Sequence, residues 1–274
     1  MPAPLALVLC ALLSAHDAWA EPAPPPVELR VATYNIWGLP GWLTHPTWRH
    51  RRGRVNRFLE RGGYDVLAVQ EAWSTAVDDL DPAPDLTVEA EDAGLGLWFR
   101  GRVGQHGQAI VRHFHRRRGV ERLKHKGLLG AELTLVGGAR VWVWTTHLQA
   151  DADAGSAEVR VDQVTELLAA VDAHPGAAIL LGDLNLHRAF APDQPAAAAL
   201  REAGFRDVAL ELDLAGEGTW ADTDLRLDRV LLRDGPQVCL QPVDYRVERE
   251  LGAEGVVSDH HPVWARVRVA PCAL

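Results

Sequence analysis

Four short polar clusters stand out by where they sit in the chain. Ser258-Asp259-His260 lies near the C-terminal end, Gly182-Asp183-Leu184-Asn185 upstream of it, Gln70-Glu71 further up and Tyr34-Asn35 near the start. The three upstream clusters follow apolar runs that read as strands: Leu29–Thr33, Val66–Val69 and Ala178–Leu181. Strand ends in a layered α/β fold converge on one rim, where sites are built. Asn, Glu, Asp, Asn, Asp and His on one rim make a hard-oxygen metal site with one base that titrates near neutrality. That set suits metal-assisted hydrolysis of a phosphate ester.

Each residue also has a plainer reading. Glu71, beside Gln70 at the end of a buried run, is the first candidate for a Mg2+ ligand; taken alone, the pair is an exposed strand end. Asn35 alone is a turn residue. Asp183 and Asn185 point the same way if their strand continues, so both reach a metal or a phosphate oxygen; otherwise they belong to a structural turn. In Ser258-Asp259-His260, His260 can take a proton from water while a carboxylate holds its tautomer. Asp228, in Arg226-Leu227-Asp228-Arg229, is a candidate for that orienting role; its alternative is a salt bridge with Arg226 or Arg229. His147 ends the run Arg140–Thr146, where a cationic or hydrogen-bonding imidazole stabilises transition-state charge. The chain has 12 histidines, and only its place at a strand end singles this one out.

The elements that must position these residues follow from hydrophobic period and turn chemistry. Strands are expected at Leu29–Ile36, Asp65–Val69, Gln108–Phe114, Leu128–Val136, Arg140–Thr146, Ala177–Leu181, Arg226–Leu232 and Pro262–Val269. Thr47–Arg61 reads as a helix with Val55, Phe58 and Leu59 inward, stopped by Gly62-Gly63. Ser156 is a candidate cap for a helix running to about Ala173 with Val161, Val164, Leu168 and Val171 on one face, and Pro195–Ala203 is a short helix. Gly137-Gly138 makes a hairpin turn. Helices and hairpins mixed in this way predict two packed mixed sheets with helices outside.

Composition is ordinarily globular, at 47% hydrophobic and 24% charged. Residues 1–20 read as a signal peptide: an apolar stretch Leu5–Ala15, then Ala18-Trp19-Ala20 as a cleavage pattern. A Pro-rich linker over 21–27 follows, and 28–274 forms one domain, so the protein is expected to be secreted or periplasmic. Without residues 1–20, Cys239 and Cys272 remain, either paired or as free thiols; neither has metal-ligand spacing. A net charge of −9 disfavours generic nucleic-acid binding. One basic stretch, Arg112 to Lys126, is either a solvated hairpin surface or a patch for an anionic membrane or phosphate backbone. Trp42 and Trp48 are either buried or placed to enter a membrane interface.

The order Asn35, Gln70-Glu71, Thr146-His147, Gly182-Asp183-Leu184-Asn185, Asp228 and Ser258-Asp259-His260 resembles the endonuclease/exonuclease/phosphatase superfamily over roughly residues 28–270. Tyr34-Asn35-Ile36-Trp37-Gly38-Leu39-Pro40, Gln70-Glu71-Ala72-Trp73, Lys126-Gly127-Leu128-Leu129, and Thr146-His147-Leu148-Gln149-Ala150 with Arg160 and Gln163 look like its neutral sphingomyelinase branch. The resemblance implies a DNase I-like four-layer α/β sandwich. It implies a metal, Mg2+ with Mn2+ or Co2+ as alternatives, on Glu71 and Asn35. Asp183, Asn185, Asp259 and His260 would form the other half of the site. His260 would be the base, although Asp183 competes for the role of activating water; Asp228 would buttress it and His147 steady the phosphate. The implied activity is hydrolysis of sphingomyelin to ceramide and phosphocholine by a monomer meeting phospholipid at a membrane surface, with no stable nucleic-acid partner. A secreted endonuclease, another phosphate-ester hydrolase on the same fold and a catalytically dead binding module are the alternatives. The aromatic-tipped hairpin of secreted bacterial sphingomyelinases is not evident in this sequence.

Overall fold

The computed structural model describes residues 25–39, 48–73, 80, 86–221, 223–249 and 257–272. The signal peptide expected over 1–20, most of the expected linker, Trp42 and Thr47 lie outside the described residues. In chain order the elements are β1 (Val27–Asn35), α1 (Trp48–Arg61), β2 (Val66–Gln70), β3 (Leu86–Ala90), β4 (Leu95–Phe99), β5 (Val103–His113), β6 (Gly127–Leu135), β7 (Arg140–His147), α2 (Ala154–Asp172), β8 (Ala177–Asp183), α3 (Gln194–Glu202), β9 (Arg206–Asp207), α4 (Val208–Glu211), β10 (Asp228–Arg233), β11 (Val238–Val247) and β12 (Val263–Pro271).

Among the described residues the strands form two six-stranded mixed sheets, ordered β11-β12-β1-β2-β4-β3 and β5-β6-β7-β8-β10-β9. The expected two-sheet sandwich with flanking helices is the observed fold. Alternation explains the layering. On β8, Ile179 and Leu181 face the other sheet, where they join Leu129, Val230, Leu29 and Ala68 in one buried cluster. Ala178 and Leu180 point the other way, onto Val164, Leu167 and Val171 of α2. A strand covered on both faces must be apolar throughout, as the run Ala177–Leu181 is. On the outer face of the first sheet, Val55, Phe58 and Leu59 of α1 pack on Tyr34, Leu67 and Trp98. Each large apolar side chain so buried contributes roughly 1.5–3 kcal/mol.

The rim follows from strand direction. β1 and β2 run parallel near the centre of one sheet, with Asn35 opposite Gln70, and β7 and β8 run parallel in the other, with His147 opposite Asp183. β10 and β12 are antiparallel to β8 and β1, so they begin where those strands end: Asp228 lies opposite Asp183, and Val263 opposite Thr33. All the polar strand ends therefore meet at one edge of the sandwich.

Several expectations are corrected. The cap of α2 is Asp153, not Ser156. Its carboxylate accepts from the Gly155 and Ser156 amides and from the Ser156 hydroxyl, and a charged acceptor suits a helix N-terminus. Among the residues expected on its buried face, Val161 and Leu168 are only partly buried, and Leu167 and Ala170 take the core positions. Strands β3, β4, β9 and β11 were not anticipated. β11 is an edge strand whose alternation breaks at a bulge between Pro242 and Asp244, where proline offers no ladder donor. Trp48 is buried, so it cannot enter a membrane interface. Cys239 on β11 and Cys272 just after β12 form a disulfide, with Cα atoms 4.9 Å apart. Among the described residues, no helix is long and apolar enough to cross a membrane.

Candidate active site

Asp183 is the hub of the rim. Its Oδ2 accepts from Asn35 Nδ2 at 3.0 Å and lies 3.4 Å from His147 Nε2 and 3.6 Å from His260 Nε2. Asn35 Nδ2 also reaches Glu71 Oε1 at 3.1 Å, so one amide ties the first sheet to the second. Below it, Gln70 makes a second tie, accepting from Thr33 Oγ1 and donating to Thr145 Oγ1. Asp259 and His260 are held by Ser258, whose hydroxyl donates to the Asn35 carbonyl at 2.7 Å and accepts from the His260 amide.

His260 stands between two carboxylates. Its Nδ1 lies 2.8 Å from Asp228 Oδ2, and Thr219 Oγ1 donates to that same oxygen at 2.7 Å. The salt bridge considered between Asp228 and Arg226 or Arg229 is absent, because both arginines pair with Asp207 instead. Burial disfavours the His260 cation, but Asp228 and Asp183 outweigh it and push its pKa up to about 10. Asp183 shows the converse: burial raises it, and the His260 and Lys126 cations bring it below its ordinary value. Asp183, Asp228 and His260 are close enough to hold an ion. One imidazolium offsets only one of the two carboxylates, so the trio keeps a net negative charge.

Glu71 is the residue that wants a cation. It leaves the end of β2 in a left-handed conformation, φ +55°, which turns its carboxylate to the rim. Oε1 is held by Asn35, but Oε2 is buried without a partner. Burial and the neighbouring Asp259 carboxylate push Glu71 up to about 7, and burial raises Asp259 as well. Two facing carboxylates with one orphaned oxygen fit a hard divalent cation, which would relieve both. Asp259 is the other oxygen donor beside it, whereas Asn35 turns its Nδ2 to Glu71 and its Oδ1 accepts from the Trp37 amide at 3.0 Å, so Asn35 would bind a metal through Oδ1 only after its amide turned over.

His147 is not cationic here. Burial, then the Lys126 ammonium, hold its pKa well below the usual imidazole range. Lys126 Nζ donates to His147 Nε2 at 3.0 Å and to the Leu148 carbonyl at 2.8 Å, and it pairs with Glu121. The neutral ring therefore carries its proton on Nδ1, which is buried without a partner among the described residues. Asn185 does not share the direction of Asp183, because the strand stops at Asp183 and Asn185 turns left-handed, φ +49°. Its amide nitrogen donates to the Leu148 carbonyl.

A cleft of about 480 Å3 opens over this cluster, lined by Glu71, His147, Asp183, Asn185, Asp259 and His260 on its floor and by Glu121, Asp151, His187, Trp220 and Leu225 around them. Such a cleft admits a small ligand group next to the acid and base groups. The sequence profile of the Endonuclease/Exonuclease/phosphatase family matches residues 32–260. The chain belongs to that family. A Drosophila melanogaster protein named "Putative neutral sphingomyelinase" is 24% identical, covering 89% of this chain; the chain spans 61% of that relative's length. Among solved structures, D. rerio TDP2 in complex with a single-strand DNA product has a TM-score of 0.70 at 19% identity, covering 88% of this chain and 98% of that one. Sphingomyelinase C from Streptomyces griseocarneus has a TM-score of 0.62 at 21% identity, covering 88% and 99%. These two likenesses are of fold. Within the family fold, three residues at the rim had not been assigned a site role from the sequence: Lys126, Thr219 and Glu121. Lys126 carried a signal, since Lys126-Gly127-Leu128-Leu129 is one of the stretches resembling the sphingomyelinase branch. Thr219 sits in an irregular segment with no periodicity to mark it.

Proposed function

We propose that this hydrolase is an exported, monomeric Mg2+-dependent phosphodiesterase that cleaves sphingomyelin to ceramide and phosphocholine, with 1–20 as its signal peptide and 28–274 as its single domain. The observation that carries the reaction class is the Glu71 carboxylate, buried beside Asp259 with one oxygen unpartnered, next to the Asp228–His260 pair. Water attacks phosphorus in line as the P–O bond to ceramide breaks; the water's proton passes to His260 Nε2 while Asp228 keeps Nδ1 protonated and the ring oriented, and the departing ceramide alkoxide takes a proton from solvent. Asp183 holds Asn35 through its Nδ2 and pairs with His260, and His147, whose Nε2 accepts from Lys126, contributes a neutral ring on the cleft floor rather than a charge. A Mg2+ bound by Glu71 and Asp259, and by Asn35 once its amide turned over, would supply Lewis acidity toward a phosphate oxygen and positive charge that favours the neutral, basic form of His260. Export is supported by the Cys239–Cys272 bond, since disulfides persist in oxidising compartments.

The sphingomyelin assignment is supported by the name of the Drosophila relative and by the four stretches resembling that branch. The nuclease alternative leans on the basic stretch. Three of its cations are already paired: Arg116 with Asp162 and Glu158, Arg118 with Asp153, and Lys126 with Glu121. A substrate panel tests the choice. Phosphocholine release from sphingomyelin vesicles, without nicking of plasmid in parallel, is the expected result; nicking without phosphocholine release would move the function to nuclease.

A further inference from the structure

The basic stretch has a second feature that its charge does not explain. Between β5 and β6, residues Gly119–Leu123 form a single 3-10 turn. Val120 and Leu123 on this turn are 80% and 82% exposed, the most exposed large apolar side chains among the described residues. Scattered exposed apolar residues are normal. Here two share one turn, and Glu121, the first of the two residues between them, points into the catalytic cleft. Glu121 accepts from the Ala150 amide, pairs with Lys126 and lines the cleft. Gln149 fixes the base of the turn by accepting from the Arg118 amide at 2.8 Å and donating to the Arg118 carbonyl at 3.3 Å. The turn is thus clamped to the cleft wall with its apolar side chains facing outward.

Charge surrounds that tip. Arg117 and Arg122 flank it in no ion pair among the described residues and Lys124 stands over the Trp73 ring at 4.6 Å, while Glu89, Glu91 and Asp92 line the groove that Leu123 and Lys124 share on its other side. Trp220, 36% exposed, lines the same cleft. Apolar side chains flanked by cations are what the boundary of an anionic bilayer accepts: the tips enter the acyl boundary and the cations stay with the headgroups.

We infer that Gly119–Leu123 is a lipid-docking turn, which seats the cleft on a bilayer containing anionic phospholipid through Val120 and Leu123, with Arg117 and Arg122 at headgroup level. This rests on the reading that the cleft acts on a lipid, and its test separates the two. The wild-type protein is sedimented with phosphatidylcholine vesicles, with and without phosphatidylserine, at low and high salt. Binding is expected to be stronger with phosphatidylserine and to weaken with salt. V120S/L123S should lower partition about tenfold or more, because two apolar side chains no longer leave water. R117E/R122E should remove the phosphatidylserine dependence. Both variants should keep the wild-type melting temperature and turnover of soluble bis(4-nitrophenyl) phosphate. If V120S/L123S sediments like wild type, the turn does not dock. If wild type ignores vesicles but binds a single-stranded oligonucleotide, the basic stretch serves nucleic acid and the inference is overturned. If wild type docks, the variant does not, and no phosphocholine appears, docking stands and the sphingomyelin assignment falls.

Discussion

Glu71 and His260 are the residues whose removal should separate folding from chemistry. Glu71→Ala takes away a buried carboxylate with an unpaired oxygen, so in chelator the variant should melt no lower than wild type. Adding Mg2+ should raise the wild-type melting temperature and leave Glu71→Ala unmoved. His260→Ala should fold and turn over roughly 10²- to 10⁴-fold more slowly, the range for loss of a positioned base. Lys126→Met removes the ammonium that adds to burial in disfavouring the His147 cation, so it should lower kcat and move the His147 limb of the activity–pH profile upward, a change that a purely structural lysine would not produce. A pH prediction follows from His260. A folded-state pKa of about 10, above the ordinary imidazole value, stabilises the fold fully below about pH 6.5 and is lost as pH rises toward 10. His147, shifted the other way, gives no further change above its ordinary value. In chelator, the melting temperature should therefore fall between pH 7 and 9, and His260→Gln should flatten that slope; an equal slope in the variant would place its origin elsewhere. At this scale the sequence was legible where residue type and strand end coincided, as at Glu71, Asp183 and His260. It was not legible where a role depends on a tertiary partner. Nothing local shows that Arg226 and Arg229 share Asp207 and so leave Asp228 to His260.

The elements bring these residues together through close approaches that single substitutions should disturb. Gly182 sits one residue before Asp183 with φ +147°, and a Cβ there would lie 2.1 Å from the Thr146 carbonyl oxygen of the neighbouring strand. Gly182→Ala should destabilise the protein by about 2 kcal/mol or more and separate β7 from β8 where His147 faces Asp183, lowering activity beyond the stability loss. Urea unfolding together with turnover of the folded fraction measures both. The disulfide closes a loop across β11 and β12 with its cysteines 33 residues apart, and chain-entropy arguments assign such a loop roughly 3–4 kcal/mol. Cys272→Ser should lower the unfolding free energy by about that amount without changing metal affinity, because the bond lies at the far end of β12 from His260. Central strands were legible as continuous apolar runs. Edge strands were not: β11 carries a proline and a bulge, and β3 takes its place through pairing with β4 rather than through its own pattern.

At the scale of the whole molecule, the two sheets are halves of one site. Asn35 and Glu71 come from one, His147, Asp183 and Asp228 from the other, and Asp259 and His260 from the segment entering β12. The separated order of these residues in the chain is the order in which the strands reach the rim, and this is why most of the fold was legible from motif positions. Net charge did not foretell where the cations go: the chain is acidic overall, yet its basic stretch lies beside the cleft, partly neutralised by α2. The most direct measurement is phosphocholine release from sphingomyelin vesicles by the wild-type protein and Glu71→Ala, in chelator and after restoring Mg2+. Release by the wild type alone, abolished by chelator and recovered with Mg2+, is the predicted result. Release that persists in chelator, or that Glu71→Ala sustains at the wild-type rate, would contradict a metal-assisted hydrolysis built on Glu71.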